Sequence, residues 1–140
     1  MAPEPQVVWM PGGVRTEIHL TGADTGGAFC LLIDEPPPGW SLPAHIHPDA
    51  DETIHVLAGE FESTVDGVTE RMGAGDTVHI PAGVVHAGGN VGADHGCRLI
   101  VFGPAGMEEF FREAGAASPT AGIDRRAALD AAYRHGWRFV

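Results

Sequence analysis

The stretch Gly39-Trp-Ser-Leu-Pro-Ala-His45-Ile-His47-Pro-Asp-Ala-Asp-Glu52, running on to Gly59, decides how this chain is read. His45 and His47 stand two apart, so on a β-strand both imidazoles leave the same face. Glu52 follows a short turn, Pro48-Asp49-Ala50-Asp51, that brings a carboxylate beside that pair. A second stretch, Gly75-Asp-Thr-Val-His-Ile-Pro81-Ala-Gly83-Val-Val-His86, runs on to Asn90 and supplies a third imidazole after a Pro-x-Gly turn. Three neutral imidazoles and one carboxylate form a mixed nitrogen and oxygen set. Such a set suits one divalent transition metal: Fe(II), Mn(II), Ni(II), Cu(II) or Zn(II). Four protein ligands around an octahedral ion leave two positions for substrate and for O₂ or water, so the site is of the open, catalytic type.

The residues around these two stretches read as short strands. Val14–Leu20 alternates, with Val14, Thr16, Ile18 and Leu20 on one face and Arg15, Glu17 and His19 on the other. Residues 28–33 are almost continuously apolar and are cut off by Glu35-Pro36-Pro37-Pro38-Gly39. Strands are predicted over 53–57 and 60–65 around Gly59, and Asp66-Gly67 between two such runs is a type I′ hairpin signal. Residues 76–80, 84–87 and 98–102 complete about nine short strands. Gly39, Gly59, Gly75 and Gly83 are read as turn or close-approach positions, and Pro81 and Asn90 as structural. Helical patterning comes only at the end, over 106–114 and over 124–135, where Asp124 is the N-cap and Gly136 the C′ residue. An all-β sandwich or barrel with short C-terminal helices follows. The expected organisation is one domain over 1–140, with the metal stretches at 39–59 and 75–90 and the helical extension at 106–136.

A formal net charge of −11 and a pI near 4.9 argue against nucleic acid or an anionic membrane as partner. All eight basic residues are arginine, which excludes Schiff-base chemistry by a lysine. The opening Met-Ala-Pro-Glu-Pro-Gln has neither a basic nor an apolar leader region, and no apolar run approaches membrane-spanning length, so a cytoplasmic protein is expected. Cys30 and Cys97 sit in apolar runs without a Cys-x-x-Cys and read as small buried hydrophobes. No G-x-S-x-G, activated cysteine or helix-turn-helix is present, which disfavours a nucleophile-based hydrolase and a transcription factor.

The two stretches resemble the paired signature motifs of the cupin superfamily. Gly39, His45, His47, Glu52 and Gly59 match G-x5-H-x-H-x4-E-x6-G, and Gly75, Pro81, Gly83, His86 and Asn90 match G-x5-P-x-G-x2-H-x3-N. The fifteen residues between Gly59 and Gly75 are similar to the short inter-motif loop of small bacterial cupins. Pro104, Gly106, Glu108, Phe110 and Phe111 resemble a segment of small bacterial cupins described as quercetin-dioxygenase-like. The resemblance implies a jelly-roll β-barrel, metal ligands at His45, His47, Glu52 and His86, and a dioxygenase oxidising a small phenolic or enol-type substrate. It favours Fe(II) as cofactor, with Glu52 also the general base.

Ile54 and Val56 share the face of Glu52 by alternation and are, with Phe61 and Trp40, the expected substrate-binding residues. His55 and His79 fall on alternate faces and are expected to pack on the sheet or support the site; His19, His95 and His135 are read as solvent or loop histidines. Trp9, Trp40 and Trp137 are read first as packing residues. Two other functions compete: a non-redox metal-dependent cyclase or isomerase of secondary metabolism, and a non-catalytic metal- or ligand-binding cupin. The expected partner is a small-molecule substrate. A homodimer is also expected, because cupin-like barrels leave sheet edges exposed and the apolar residues Val7, Val8, Trp9 and Met10 have no obvious partner in their own chain.

Overall fold

The computed structural model describes residues 4–140 of the chain, so the first three residues of the opening segment lie outside the described ones. Eleven strands and three short helices follow one another: β1 (Gln6–Met10), β2 (Val14–Leu20), α1 (Gly22–Thr25), β3 (Cys30–Glu35), β4 (Ser41–Ile46), β5 (Asp51–Ala58), β6 (Phe61–Val65), β7 (Val68–Met72), β8 (Thr77–Ile80), β9 (His86–Asn90), β10 (Cys97–Gly103), α2 (Met107–Ala114), α3 (Arg125–Arg134) and β11 (Arg138–Phe139). Two antiparallel sheets, β1-β2-β3-β10-β5-β8 and β11-β4-β9-β6-β7, face one another as a jelly roll that does not close into a continuous barrel. The all-β class and the C-terminal helices are as expected.

Register turns alternation into layers on the inner face of the larger sheet. Cys30, Phe102, Glu52 and Ile80 stand in one row. Ile18, Leu32, Ile100, Ile54 and Val78 form the next. Thr16, Asp34, Arg98 and Val56 form a third. On the smaller sheet His45 pairs with His86, Leu42 and Ser63 flank Gly88, and Phe61 pairs with Asn90 and Met72. Histidines and Glu52 therefore meet at one end of the interior, with Phe61 and Arg98 at the other.

Three expectations need correction. The apolar segment at 7–10 does have a partner: β1 pairs with β2 along its whole length, and Trp9 exchanges two backbone hydrogen bonds with Ala116. That removes one of the two grounds for a homodimer and leaves the exposed sheet edges as the other. The strand expected at 84–87 begins two residues later, because Val84 N donates to Pro81 O and keeps the chain in a turn. Cys97 is half-buried rather than buried, whereas Cys30 is fully enclosed and its thiol is pushed up to about 12, first by burial and then by Glu108.

Local signals explain most of the ends. Asp66 and Gly67 both have positive φ, the two left-handed residues that a tight hairpin between β6 and β7 requires. Asp124 Oδ1 accepts from the N–H groups of Arg126 and Ala127 and so caps α3. Buried Glu108, in the first turn of α2, accepts from Gly106 N and Gly22 N and ties that helix to α1. Asn90 is structural: its Nδ2 donates to the carbonyls of Pro36 and Asp94 and its Oδ1 accepts from Gly92 N.

Gly59 has φ 94°, and a Cβ there would lie 2.8 Å from Gly96 Cα; Gly39 has φ 81° with open space around it. Gly39→Ala is expected to cost about 1–2 kcal/mol of unfolding free energy from its left-handed backbone alone. Gly59→Ala is expected to cost clearly more, since two backbones must also separate. Denaturant melts of the two variants check this, and equal costs would contradict it.

Candidate metal centre

His45 sits on β4 just after a register shift between Leu42 and His45, and His47 lies one residue beyond the end of that strand. The Pro81–Gly83 turn fixes the second residue: Gly83 N donates to His47 O, and Ala82 N donates to Asp51 Oδ1. Asp51 is thereby a structural clamp facing out, and Asp49 is also exposed, so neither competes with Glu52 at the site. Glu52 opens the inner face of β5, and His86 opens β9. One donor atom from each of His45, His47, Glu52 and His86 lies within 4.8 Å of all the others. All four side chains are buried.

Hydrogen bonding sets which ring nitrogens are offered. His45 Nδ1–H donates to Pro43 O at 2.9 Å and His86 Nδ1–H donates to Val84 O at 3.0 Å. In the neutral rings this leaves both Nε2 lone pairs for an ion. Glu52 Oε1 lies 3.1 Å from His86 Nε2 and 3.4 Å from His47 Nε2. Two electron-pair donors at such range need a proton or a cation between them. Both ring nitrogens of His47 are buried without a hydrogen-bond partner, the arrangement that a metal ligand relieves. With ligand bonds near 2.1 Å, donors on one ion stand at most about 4.2 Å apart, so contraction by a few tenths of an ångström suffices. These residues fit one divalent transition metal.

The titration behaviour agrees. Burial pushes His45 down to about 4, so its ring stays neutral. For Glu52 burial works in the opposite sense, but the His47 and His86 imidazoles beside its carboxylate outweigh it and hold the carboxyl down at about 2. Burial also disfavours the charged His86, yet its contact with Glu52 and its bond to Val84 O raise it above the ordinary 6.5.

Trp137 closes this end. Its indole stacks on His45 with centroids 4.7 Å apart and meets His47 edge to face at 4.6 Å, while its Nε1–H donates to Met107 Sδ. The chain reaches that position by folding α2 and α3 back, so that β11 pairs Phe139 with His45. Motif spacing carries no trace of this contact.

A cavity of about 670 Å³ runs from His45, Glu52 and His86 into the interior. Ile54, Val56, Phe61 and Trp40 all line it, Val56 and Phe61 in a cluster with Met72 away from the histidines. Trp137, Asp34 and Arg98 also line it, and motif spacing assigns none of them to the site. Alternation does place Asp34 on the face of Cys30 and Leu32, and Arg98 on that of Ile100 and Phe102, which is a legible signal of charge pointing inward. His55 and His79 lie on the other face, where each Nδ1 bonds a threonine directly across the β5–β8 pair, Thr77 and Thr53. His19 pairs with Glu17 on β2, and His135 with Glu113 between the helices.

Comparison with known proteins finds the cupin domain model over residues 32–103, just over half of the chain. A quercetin 2,3-dioxygenase of Bacillus subtilis is 38 % identical over 70 residues, 50 % of this chain and 21 % of that protein. Protein SchB of Streptomyces halstedii is 36 % identical over 89 residues, 64 % of this chain and 63 % of its own length. This chain thus spans less than two thirds of either relative. Among solved structures, an RmlC-like cupin from Shewanella frigidimarina aligns with a TM-score of 0.64 at 23 % identity, covering 75 % of this chain and 88 % of that one.

Protons compete with the ion at His86, whose pKa is raised, before they do so at His45, which stays neutral down to about 4. Zinc affinity, measured against a competing chelator, is expected to weaken as pH falls through and just above the ordinary histidine value of 6.5. Affinity that stayed flat down to about 4 would contradict the assignment of His86. His45→Ala and His86→Ala are each expected to hold well below one equivalent of metal.

Proposed function

The chain belongs to the cupin family, and we propose that it is a metal-dependent dioxygenase that oxidises a small enol or phenol. One observation carries this reading: the buried His45, His47, Glu52 and His86 cluster stands at the end of a large, mainly apolar cavity rather than in a closed structural site. The relative named quercetin 2,3-dioxygenase supports the oxidative and phenolic side of it. A divalent ion, Fe(II) by preference, would supply Lewis acidity toward a substrate oxygen and electron transfer toward O₂.

The chain's own residues have separate tasks. His45, His47 and His86 present ring nitrogens whose direction is fixed by backbone carbonyls or by the 81–83 turn. Glu52 stays ionised and takes the hydroxyl proton of the bound substrate at a carboxylate oxygen. Trp137 and Phe102 pack on the histidines and exclude water from that end. Ile54 and Ile100 form the walls against which a flat apolar substrate lies. A cyclase or isomerase would use the same geometry without O₂, which makes oxygen uptake the deciding measurement.

Protein purified anaerobically is expected to contain about one equivalent of metal, and to take up O₂ in step with loss of an enol or phenol drawn from a panel. Substrate loss without O₂ uptake would move the assignment to the non-redox reading. Neither turnover nor O₂ uptake from a fully metallated protein would favour a binding module.

Glu52→Gln separates ligand from base. At matched metal occupancy, single-turnover rates are expected to fall by on the order of 10²–10⁴. Near-normal turnover in the metallated variant would leave Glu52 as a ligand only.

A further inference from the structure

The end of the cavity away from the histidines holds an ion pair that the proposed chemistry does not use. Arg98 Nε and Nη2 donate to Asp34 Oδ1 and Oδ2 at 3.0 and 2.7 Å. Both residues are buried and both line the cavity. Arg98 Nη1 has no partner among the described residues, yet it is not among the buried atoms left unsatisfied, which are the two nitrogens of His47. With Nε and Nη2 turned to Asp34, Nη1 is the guanidinium nitrogen left to face the cavity that Arg98 lines. Trp40 and Phe61 pack on the guanidinium at 4.8 and 5.3 Å, so its plane, and with it the direction of Nη1, is held. Stability alone does not call for such a pair, because aliphatic side chains in the same row would avoid the desolvation of two charges.

We propose that Arg98 is a second anchor of the cavity. Its free Nη1–H takes a neutral oxygen acceptor, such as a ketone, ether or phenol oxygen, at the far end of an elongated flat ligand whose near end lies at His45, Glu52 and His86. The inference rests on the reading of those residues as the metal and substrate end. Length follows from register: Arg98 stands opposite Val56, four residues from Glu52 on β5, or about 13 Å along the strand. Flatness follows from the row between, where Gly88 and Ser63 on one sheet leave room in front of Ile54 and Ile100 on the other.

Charge decides the chemical class. Asp34 already neutralises the guanidinium through both of its oxygens, so the far end of the cavity carries a balanced pair rather than a free cation. A ligand carboxylate would meet no net positive field there, whereas a neutral oxygen gains a hydrogen bond from a charged donor. Burial opposes the charged form of Arg98, but Asp34 and the more distant Glu52 outweigh it and keep the group ionised.

The test uses chelating enol probes built on 3-hydroxyflavone, bound to zinc-loaded and to chelator-treated protein so that no turnover intervenes. The distal 4′ position carries an acetyl group, its isopropenyl isostere or a carboxylate. The acetyl probe is expected to bind tenfold or more tighter than the isostere, with no such gain for the carboxylate. The double variant Asp34→Leu/Arg98→Met, which leaves no buried charge unpaired, is expected to lose the acetyl preference while keeping the effect of zinc. Zinc-dependent binding with equal affinities for acetyl and isopropenyl probes overturns the anchor and spares the metal reading. An acetyl preference that zinc does not influence supports the anchor and counts against the metal reading. A preference for the carboxylate, or an acetyl preference that survives in the double variant, overturns the anchor; a failure of every probe to bind overturns both.

Discussion

Glu52 and the ring nitrogens of His47 and His86 face one another across 3.1–3.4 Å as buried groups, and the rest of the molecule is arranged around that fact. Lone pairs held so close repel unless a proton or an ion lies between them. Keeping them there takes a rigid frame. β5 and β9 bring the carboxylate and the third imidazole from opposite sheets, and the register shift in β4 turns His45 inward. The 81–83 turn then closes on His47 and Asp51 and fixes the distance between the two motif segments. The apolar rows of the larger sheet supply that frame.

Sequence spacing reveals the cluster because a strand has a period of two and a turn a fixed length, so His45, His47 and Glu52 are tied by local geometry. His86 is legible for a different reason: the Pro81–Gly83 turn pins the start of its strand. Asp66-Gly67 and Asp124 are equally local and fall where their chemistry puts them. Trp137 is not local. It reaches His45 only because two helices fold back and β11 adds to the edge of β4, a tertiary event that no short window encodes. The segment at 7–10 finds its partner in β2 through a short turn at Gly12 and Gly13, both at positive φ, a signal confined to two residues.

Asp34 and Arg98 teach a related lesson. Each stands at an inward position of an alternating run, so the pattern marks them as buried charges, yet their pairing across β3 and β10 depends on the order of strands in the sheet. Alternation tells which face a residue takes; topology tells what it meets there. The interior consequently has two polar ends separated by a greasy middle, an arrangement suited to orienting a ligand rather than merely enclosing it.

The indoles of Trp137 and Trp40 divide along the same axis, one stacked on a metal-site histidine and the other resting on the Arg98 guanidinium. Intrinsic emission from this protein therefore carries two local signals in addition to Trp9 on β1. An ion beside His45 would change the surroundings of one ring, and a molecule at the opposite end would change those of the other, so emission would report the two events separately.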